Sequence, residues 1–358
     1  MKAAVCYEFG KPLSVEEVDL DPPQKNEVKV RIAATAICHS DIHVLRGELG
    51  FKLPLVAGHE SAGYIEEIGE GVTGFKPGAR VVVSMLKSCG RCFYCAQGRP
   101  SLCEAVFPLT VESRLHNKKG QALNHMVAVA SFAEYAIVDI SQVVVIPDDM
   151  PLDCASLLAC GVITGFGAVV NRARVEAMSS VVVIGTGGVG LNSVQGAAVS
   201  GACPLIAVDV NDKKLEAARL FGATHTVNAK QVDPVKAVRE MTGGRGADYV
   251  FVTVGNASAI RQGYEMIRAA GMEVVVGLPV NGETVTFPPF FPDEKIVTSC
   301  NLGSMRLSID IPRLVSLYKS GKLKLDELIT ARYPLEKINE AIESVERGEA
   351  LRNVIVFE

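Results

Sequence analysis

The segment VVVIGTGGVGLNSVQGAAVSGA, residues 181–202, constrains the chain more than any other. A β-branched run stops at a glycine, and Gly185, Gly187 and Gly190 form GxGxxG at the mouth of a helical stretch. Glycine there permits a tight turn, close approach of a pyrophosphate to backbone N–H groups and close helix packing, while the helix N-terminus favours negative charge. Gly188, between the last two glycines, extends the same open cradle. GxGxxG alone marks many ordinary turns, so the context decides. The next β-rich run, LIAVDV, ends at Asp209, 19 residues beyond Gly190, where a carboxylate can accept hydrogen bonds from an adenosine ribose diol. That carboxylate would repel a 2′-phosphate, so the pattern favours NAD over NADP. A helix N-cap or a solvated turn is the competing role for Asp209. Lys214 stands where it would flank the ribose or serve as a solvated helix lysine.

The same texture continues around the cradle. From about residue 153, helix-length segments such as NDKKLEAARLFG alternate with VVVIG, LIAVDV, YVFVTVG and EVVVGLP, which implies a parallel sheet. The first 150 residues differ: KAAVCY, EVKVRIAATAI, SAGYIEEIG, ARVVVS, SFAEYAIV and VVVIP are short strands between Gly and Pro turns. After about 302 come two helical patterns, IPRLVSLYKSG and LEKINEAIESVERG, and a last strand, NVIVFE, which suits the first domain better. A length of 358 residues fits two domains of common size. Apolar residues at 48%, charged residues at 21% and a net charge of −4 give no electrostatic attraction for nucleic acid or an anionic membrane, so small-molecule partners are expected. The start, MKAAVCYEFGKP, has no signal-type apolar core, and no apolar run is expected to reach the roughly 18 residues a membrane span requires, which favours a cytoplasmic location.

Ten cysteines in a reducing compartment point to metal or catalysis before disulfides. In SCGRCFYCAQGRPSLC, Cys89, Cys92, Cys95 and Cys103 follow at spacings of three, three and eight. Four thiolates so placed close a tetrahedron around zinc with no open position, a structural rather than a chemical site. An iron–sulfur cluster is the rival, but no proline follows the last cysteine and no second cluster set exists. A second set is dispersed: Cys38, then His59 in GHE, then Cys160 in LLACGVITGFGAVV. Singly each is ambiguous, since a lone cysteine in an apolar helix is usually core. Together, two thiolates and one imidazole leave a fourth position for water or substrate, the catalytic zinc arrangement for which alcohol dehydrogenase is the standard example.

These motifs carry a resemblance. From KAAVCYEFGKPLSVEEVDL through AGHESAGYIEEIGEGV to LRNVIVFE, the chain resembles the zinc-dependent medium-chain alcohol dehydrogenases over essentially its full length. The resemblance implies an α/β architecture: a GroES-like, mostly β catalytic domain over 1–161 and 302–358, with its zinc lobe at 89–103, and a Rossmann, doubly wound parallel-sheet cofactor domain over 162–301. It implies two zinc ions and NAD(H), with Cys38, His59 and Cys160 holding the catalytic ion, Glu60 a carboxylate able to approach it, and Asp41 behind His59. Cys89, Cys92, Cys95 and Cys103 match the structural ligands. His39 and Arg352 match contacts to the cofactor pyrophosphate, Thr164, Val189 and Val276 align around the nicotinamide, and Thr253 falls in the cofactor site. Members of this kind are homodimers or homotetramers joined through the cofactor domain.

Read with that resemblance, AICHSDIH, residues 36–43, gathers one reaction into one loop. A bound metal lowers the proton affinity of an alcohol hydroxyl, and hydride then passes to the nicotinamide. The proton needs a way out, which Ser40 and His43 can provide through the cofactor ribose to solvent. An ST-turn and a surface position are their ordinary alternatives. By alignment, Leu49, Met85, Phe132, Leu278 and Asn301 line the substrate pocket. Met85 and Asn301 stand where the family has bulkier apolar groups, which favours longer or aromatic primary alcohols, with secondary alcohols and ketones also in reach. The polar segment from Glu104 to Ala130, with Arg114, His116, Lys118, Lys119 and His125, frames the entrance or is a surface loop. Rivals are a zinc-free reductase, disfavoured by the complete ligand set; a formaldehyde dehydrogenase acting on a glutathione-type adduct; and a non-enzymatic NAD- and zinc-binding protein.

Overall fold

The computed structural model describes residues 1–279, 282–288 and 293–358. The chain divides into two compact units, one of residues 1–160 and 306–358, the other of residues 161–305.

The second unit is built on a six-stranded parallel sheet. Its spatial order is His225–Asn228, Leu205–Asp209, Val181–Ile184, Ala247–Val252, Ile267–Val275, Ile296–Ser299. The strand following the first in sequence lies on one side of it and the fourth on the other, so the order reverses at Val181–Ile184, where doubly wound sheets bind ligands. All four residues of that strand are buried, as a sheet covered on both faces requires. Polar caps start the helices that return the chain: Asn211 Oδ1 accepts from Lys213 N–H at 3.0 Å, Asp233 Oδ1 from Val235 N–H at 2.9 Å, and Asn256 Oδ1 from Ala259 N–H at 3.0 Å.

The first unit is mostly β. Five short strands close a barrel: Lys2–Cys6, Ser14–Leu20, Leu115–Asn117, Ala122–His125 and Leu55–Val56. A larger sheet runs Val143–Val145, Arg80–Ser84, Glu60–Ile68, Glu27–Ala36, Arg352–Val356, Ile329–Tyr333, with Tyr135–Asp139 also paired to Glu27–Ala36. The C-terminal strand therefore does belong to the first unit, antiparallel to Glu27–Ala36.

Two sequence expectations need correction. The segment 104–130 is not a plain surface loop: it supplies two of the barrel strands. Arg114 is buried and grips Glu27 with both ends of its fork, Nη2–Oε1 2.8 Å and Nε–Oε2 3.1 Å. His125 is buried too, accepts Arg114 N–H at Nε2 at 3.1 Å, and burial pushes its pKa down to about 4. Lys118 pairs with Asp19 on the barrel exterior. The charged residues in this stretch are thus largely spent on the fold. The second correction concerns membranes. The helical run Leu152–Ala173, 22 residues, is long and apolar enough to cross one by length and composition, but 83% of its most apolar window is buried within the protein. Its apolarity is that of a core helix.

Glu273, in the fifth strand of the parallel sheet, is wholly buried, and among the described residues neither carboxylate oxygen has a hydrogen-bond partner. Burial alone pushes its pKa up to about 8. The folded protein then keeps a proton that the unfolded chain releases at the ordinary carboxyl value, so stability falls as pH rises between those two values. Glu273→Val should abolish that slope. The stability difference between variant and wild type, from urea unfolding at about pH 5 and about pH 8, should widen in the variant's favour by at most about 4 kcal/mol. Parallel pH profiles would contradict it.

Candidate active site

Strand register builds the site. Ala36 lies opposite Glu60, and Glu60 opposite Ser84, across three neighbouring strands. The chain leaves the first strand into Cys38, which caps helix His39–Leu45, and enters the second through Gly58 and His59. Ser84 Oγ donates to the carbonyl of Ala159 at 2.6 Å, tying in the helical run that carries Cys160. Cys160 sits in a π-helical turn, Leu158–Val162, where the extra residue re-aims side chains relative to a regular helix. The ligand atoms of Cys38, His59, Glu60 and Cys160, all buried, lie within 4.8 Å of one another.

Asp41 organises this cluster from behind. Its Oδ2 accepts Cys38 N–H at 2.8 Å, and its Oδ1 accepts Gly58 N–H at 3.1 Å and pairs with His59 Nδ1 at 2.9 Å. A carboxylate on Nδ1 fixes the ring with its proton there and the lone pair on Nε2. His59 Nε2 is buried and, among the described residues, has no hydrogen-bond partner. A buried imidazole nitrogen clustered with two thiol sulfurs fits a soft divalent metal. Gly58 adopts φ +89°, and a Cβ there would stand 2.6 Å from the backbone nitrogen and ring of Phe132, so this turn accepts only glycine.

The electrostatics agree. The hydrogen bond from Cys160, with help from His59, holds the Cys38 thiol well below its ordinary range, while the same contact and burial push Cys160 well above it. Burial opposes charge on His59, but Asp41 and Cys38 together outweigh it and raise its proton affinity. Burial pushes Glu60 up to about 7 against the pull of Arg352. Glu60 Oε2 is bonded to the Arg352 guanidinium, leaving Oε1 buried without a partner among the described residues. The structure thus places Arg352, expected at a pyrophosphate, on the carboxylate of the metal cluster.

The remaining loop residues are near by. Ser40 Oγ lies 3.7 Å from Cys38 Sγ, and the rings of His39, which is exposed, and His43 meet edge-on at 5.9 Å. His43 Nδ1 is bonded to Glu48 Oε2, a partner that motif reading passed over.

In the parallel-sheet unit the glycines shape an open turn before a helix. Gly185 has φ +88°, a Cβ on Gly190 would stand 1.8 Å from the Gly185 carbonyl oxygen, and a Cβ on Gly187 would meet nothing within 4 Å. Gly187 caps the 12-residue helix Gly188–Val199. Open space above a helix N-terminus fits a pyrophosphate. Thr253 Oγ1 donates to the carbonyl oxygens of Gly185 at 2.7 Å and Ile184 at 3.1 Å, so it braces the cradle. Asp209 Oδ2 accepts Thr186 N–H at 2.7 Å and its hydroxyl at 3.0 Å, while Oδ1 accepts Val210 and Asn211 N–H at 2.7 and 3.0 Å. Thr186, unremarked in the motif, orients the expected ribose acceptor. Lys214 is half-buried in helix Asp212–Leu220, Thr164 and Val189 are half-buried, and Val276 is buried.

The expected pocket residues scatter in exposure. Leu49 and Met85 are half-buried against apolar clusters of the first unit. Leu278 is 53% exposed and Asn301 exposed, both in the second unit. Phe132 has no exposed surface: it fills the core behind Gly58 and offers substrate no wall.

Cys89, Cys92, Cys95 and Cys103 bring their sulfurs within 4.8 Å of one another around the short helix Phe93–Ala96. Backbone N–H groups already point at the sulfurs: Cys92 N–H at Cys89 Sγ, 3.3 Å, and Cys89 N–H at Cys103 Sγ, 3.3 Å. The N–H of Glu104, then that of Cys95, holds the Cys92 thiol down to about 6, closer to the thiolate a metal requires.

Residues 24–148 match the alcohol dehydrogenase GroES-like domain and residues 188–320 the zinc-binding dehydrogenase domain. The chain is 38% identical over 368 aligned positions to S-(hydroxymethyl)glutathione dehydrogenase of Saccharomyces cerevisiae, covering 99% of this chain and 95% of that protein. Among solved structures it is similar to an alcohol dehydrogenase zinc-binding domain protein from Burkholderia ambifaria, with TM-score 0.95, 34% identity and coverage of 100% and 98% of the two chains. It is likewise similar to benzyl alcohol dehydrogenase of Acinetobacter calcoaceticus, with TM-score 0.93, 34% identity and coverage of 100% and 99%. A GroES-like unit and a dinucleotide-binding parallel sheet in one chain define a zinc-type medium-chain oxidoreductase. The chain belongs to the zinc-dependent medium-chain alcohol dehydrogenase family.

If the four-cysteine lobe holds its own ion, Cys92→Ser should lower the metal content of the purified protein from about two zinc per chain to about one, measured by atomic emission. Unchanged content would remove the lobe from the metal sites.

Proposed function

We propose that the protein catalyses reversible NAD-dependent oxidation of primary alcohols to aldehydes, with longer-chain or aromatic alcohols preferred and secondary alcohols in reach. The observation that carries this reading is the buried His59 Nε2, without a hydrogen-bond partner among the described residues, within 4.8 Å of the sulfurs of Cys38 and Cys160. Three protein donors leave a place for an exchangeable oxygen ligand, as a catalytic rather than a structural site requires. When bound, zinc supplies Lewis acidity that makes an alcohol hydroxyl easier to deprotonate, and NAD supplies the hydride acceptor.

The chain's own residues do the rest. Asp41 keeps His59 in the tautomer that offers Nε2. Ser40 Oγ, beside Cys38, takes the hydroxyl proton, and His43 carries it onward from its Nε2. Glu60 Oε1 is a buried oxygen within the donor cluster and can stand in for a departing ligand. Gly185, Gly187, Gly188 and Gly190 cradle the pyrophosphate, and Asp209 takes the ribose diol. His39, exposed on the same loop, adds positive charge toward phosphate, while Arg352 balances Glu60. Leu49 and Met85 give the substrate apolar walls. The sheet ends at Ile296–Ser299, an edge strand through which two copies can pair, so a homodimer or homotetramer is the expected assembly. Paired thiols reserved for metal suit a reducing, cytoplasmic compartment.

A second reading rests on the yeast relative, whose name specifies a glutathione adduct of formaldehyde. Following NADH absorbance with a series of alcohols, and separately with formaldehyde plus glutathione, separates the two: activity on aromatic alcohols without thiol supports the first, strict thiol dependence the second.

Cys160→Ala and Cys38→Ala should each lower turnover by about a thousandfold or more, because one of three protein ligands is lost, while circular dichroism stays native. Wild-type turnover in either would refute the ligand assignment. His43→Gln should slow alcohol oxidation about tenfold near neutral pH and matter less as solvent base becomes abundant. A pH–rate profile identical to wild type would remove His43 from the proton path.

A further inference from the structure

The helix that carries Ser40 and His43 ends so as to deliver a carboxylate to His43. Gly47, at φ +78°, donates its N–H to the Val44 carbonyl at 2.9 Å, and Glu48 donates its N–H to the His43 carbonyl at 2.9 Å. Together these bonds form a Schellman closure, which folds the residue after the glycine back over the residue five positions earlier. That pair is apolar in most helix ends. Here it is Glu48 over His43, with Glu48 Oε2 bonded to His43 Nδ1. The closure is sterically set: a Cβ on Gly47 would meet the Phe9 ring at 3.0 Å in a backbone conformation side chains avoid. Both partners keep a path to water, with side chains 20% and 27% exposed.

The surroundings keep Glu48 anionic. Its hydrogen bond to His43 holds the carboxyl below the usual range against burial, with the charges of His43, Arg46 and His39 acting in the same direction. Arg46 is itself anchored on Glu346 of helix Ile338–Glu346, Nη2–Oε1 2.8 Å, and the His39 ring lies edge-on to His43.

We propose that Glu48 is a positioning residue for the proton exit, holding His43 with its proton on Nδ1 so that Nε2 presents the accepting lone pair. The inference rests on the proton path proposed above. A proton accepted at Nε2 makes an imidazolium beside the Glu48 carboxylate. The Nδ1 proton then moves to Glu48 Oε2 and on to water, no electrons change hands, and the partly exposed ring recovers its tautomer by exchange with solvent.

The test uses the zinc-loaded enzyme and three variants. Glu48→Leu restores the apolar contact usual at such a helix end and should fold normally. It should lower kcat for alcohol oxidation near neutral pH about tenfold, leave KM for NAD within about twofold, and lose the Nδ1-protonated His43 signal in nitrogen-15 NMR of histidine-labelled protein. Glu48→Asp should recover part of both. In His43→Gln/Glu48→Leu the loss should equal that of His43→Gln alone, because Glu48 acts through the ring. Wild-type kcat and an unchanged His43 signal in Glu48→Leu, with His43→Gln still slow, would overturn the role of Glu48 and leave the proton path standing. A further loss in the double variant would overturn it too. A fast His43→Gln enzyme would sink the path itself.

Discussion

The donor cluster of the first unit depends on one carboxylate. Asp41 is wholly buried, and it binds the N–H of Cys38, the N–H of Gly58 and the Nδ1 of His59. Hydrogen bonds to a charged group contribute about 1.5–3 kcal/mol each, and these three fasten two strand ends to one another while aiming one ring. Register brings the two strand ends together, and Asp41 fixes how Cys38 and His59 face each other across them. The arrangement also explains why a buried anion is tolerated: each of its oxygens is satisfied.

A similar logic governs the parallel-sheet unit, where the acceptor expected to meet a ribose is itself held by its own loop. Thr186 and the two residues after Asp209 orient that carboxylate, and Thr253 braces the turn from the neighbouring strand. Rigidity before binding lowers the ordering cost of association, which suits a cofactor that must leave in every cycle. Glu273 is the counter-example in the same sheet. It is a buried carboxylate without such partners among the described residues, and burial pushes its proton affinity up instead.

The legible parts were the local ones. Cys89, Cys92, Cys95 and Cys103 lie within one short stretch, so spacing alone brings their sulfurs together, and the glycine turn likewise needs only a strand before it and a helix after it. The closure that sets Glu48 on His43 is also local and signalled by the glycine at 47, although no metal-ligand spacing marks it. Arg114 and His125 were misplaced for a different reason: charge in a sequence suggests exposure, and only the barrel shows that these two are enclosed, with Glu27 compensating the arginine. Phe132 was misplaced in the reverse direction, assigned to a wall and found behind it.

By itself the sequence determined the strand–glycine–helix cradle, the four-thiolate lobe, the change from short strands to alternating strands and helices, and the donor types available for a second metal. Those depend on near neighbours in the chain and on the periodicities of strand and helix. Tertiary structure alone decided that Ala36, Glu60 and Ser84 stand in one row, that Cys160 is carried to that row by a hydrogen bond from Ser84, and that Arg352 reaches Glu60 from 292 residues away. Such contacts are set by strand register and burial, which sum over the whole fold and leave no mark in any short window of residues.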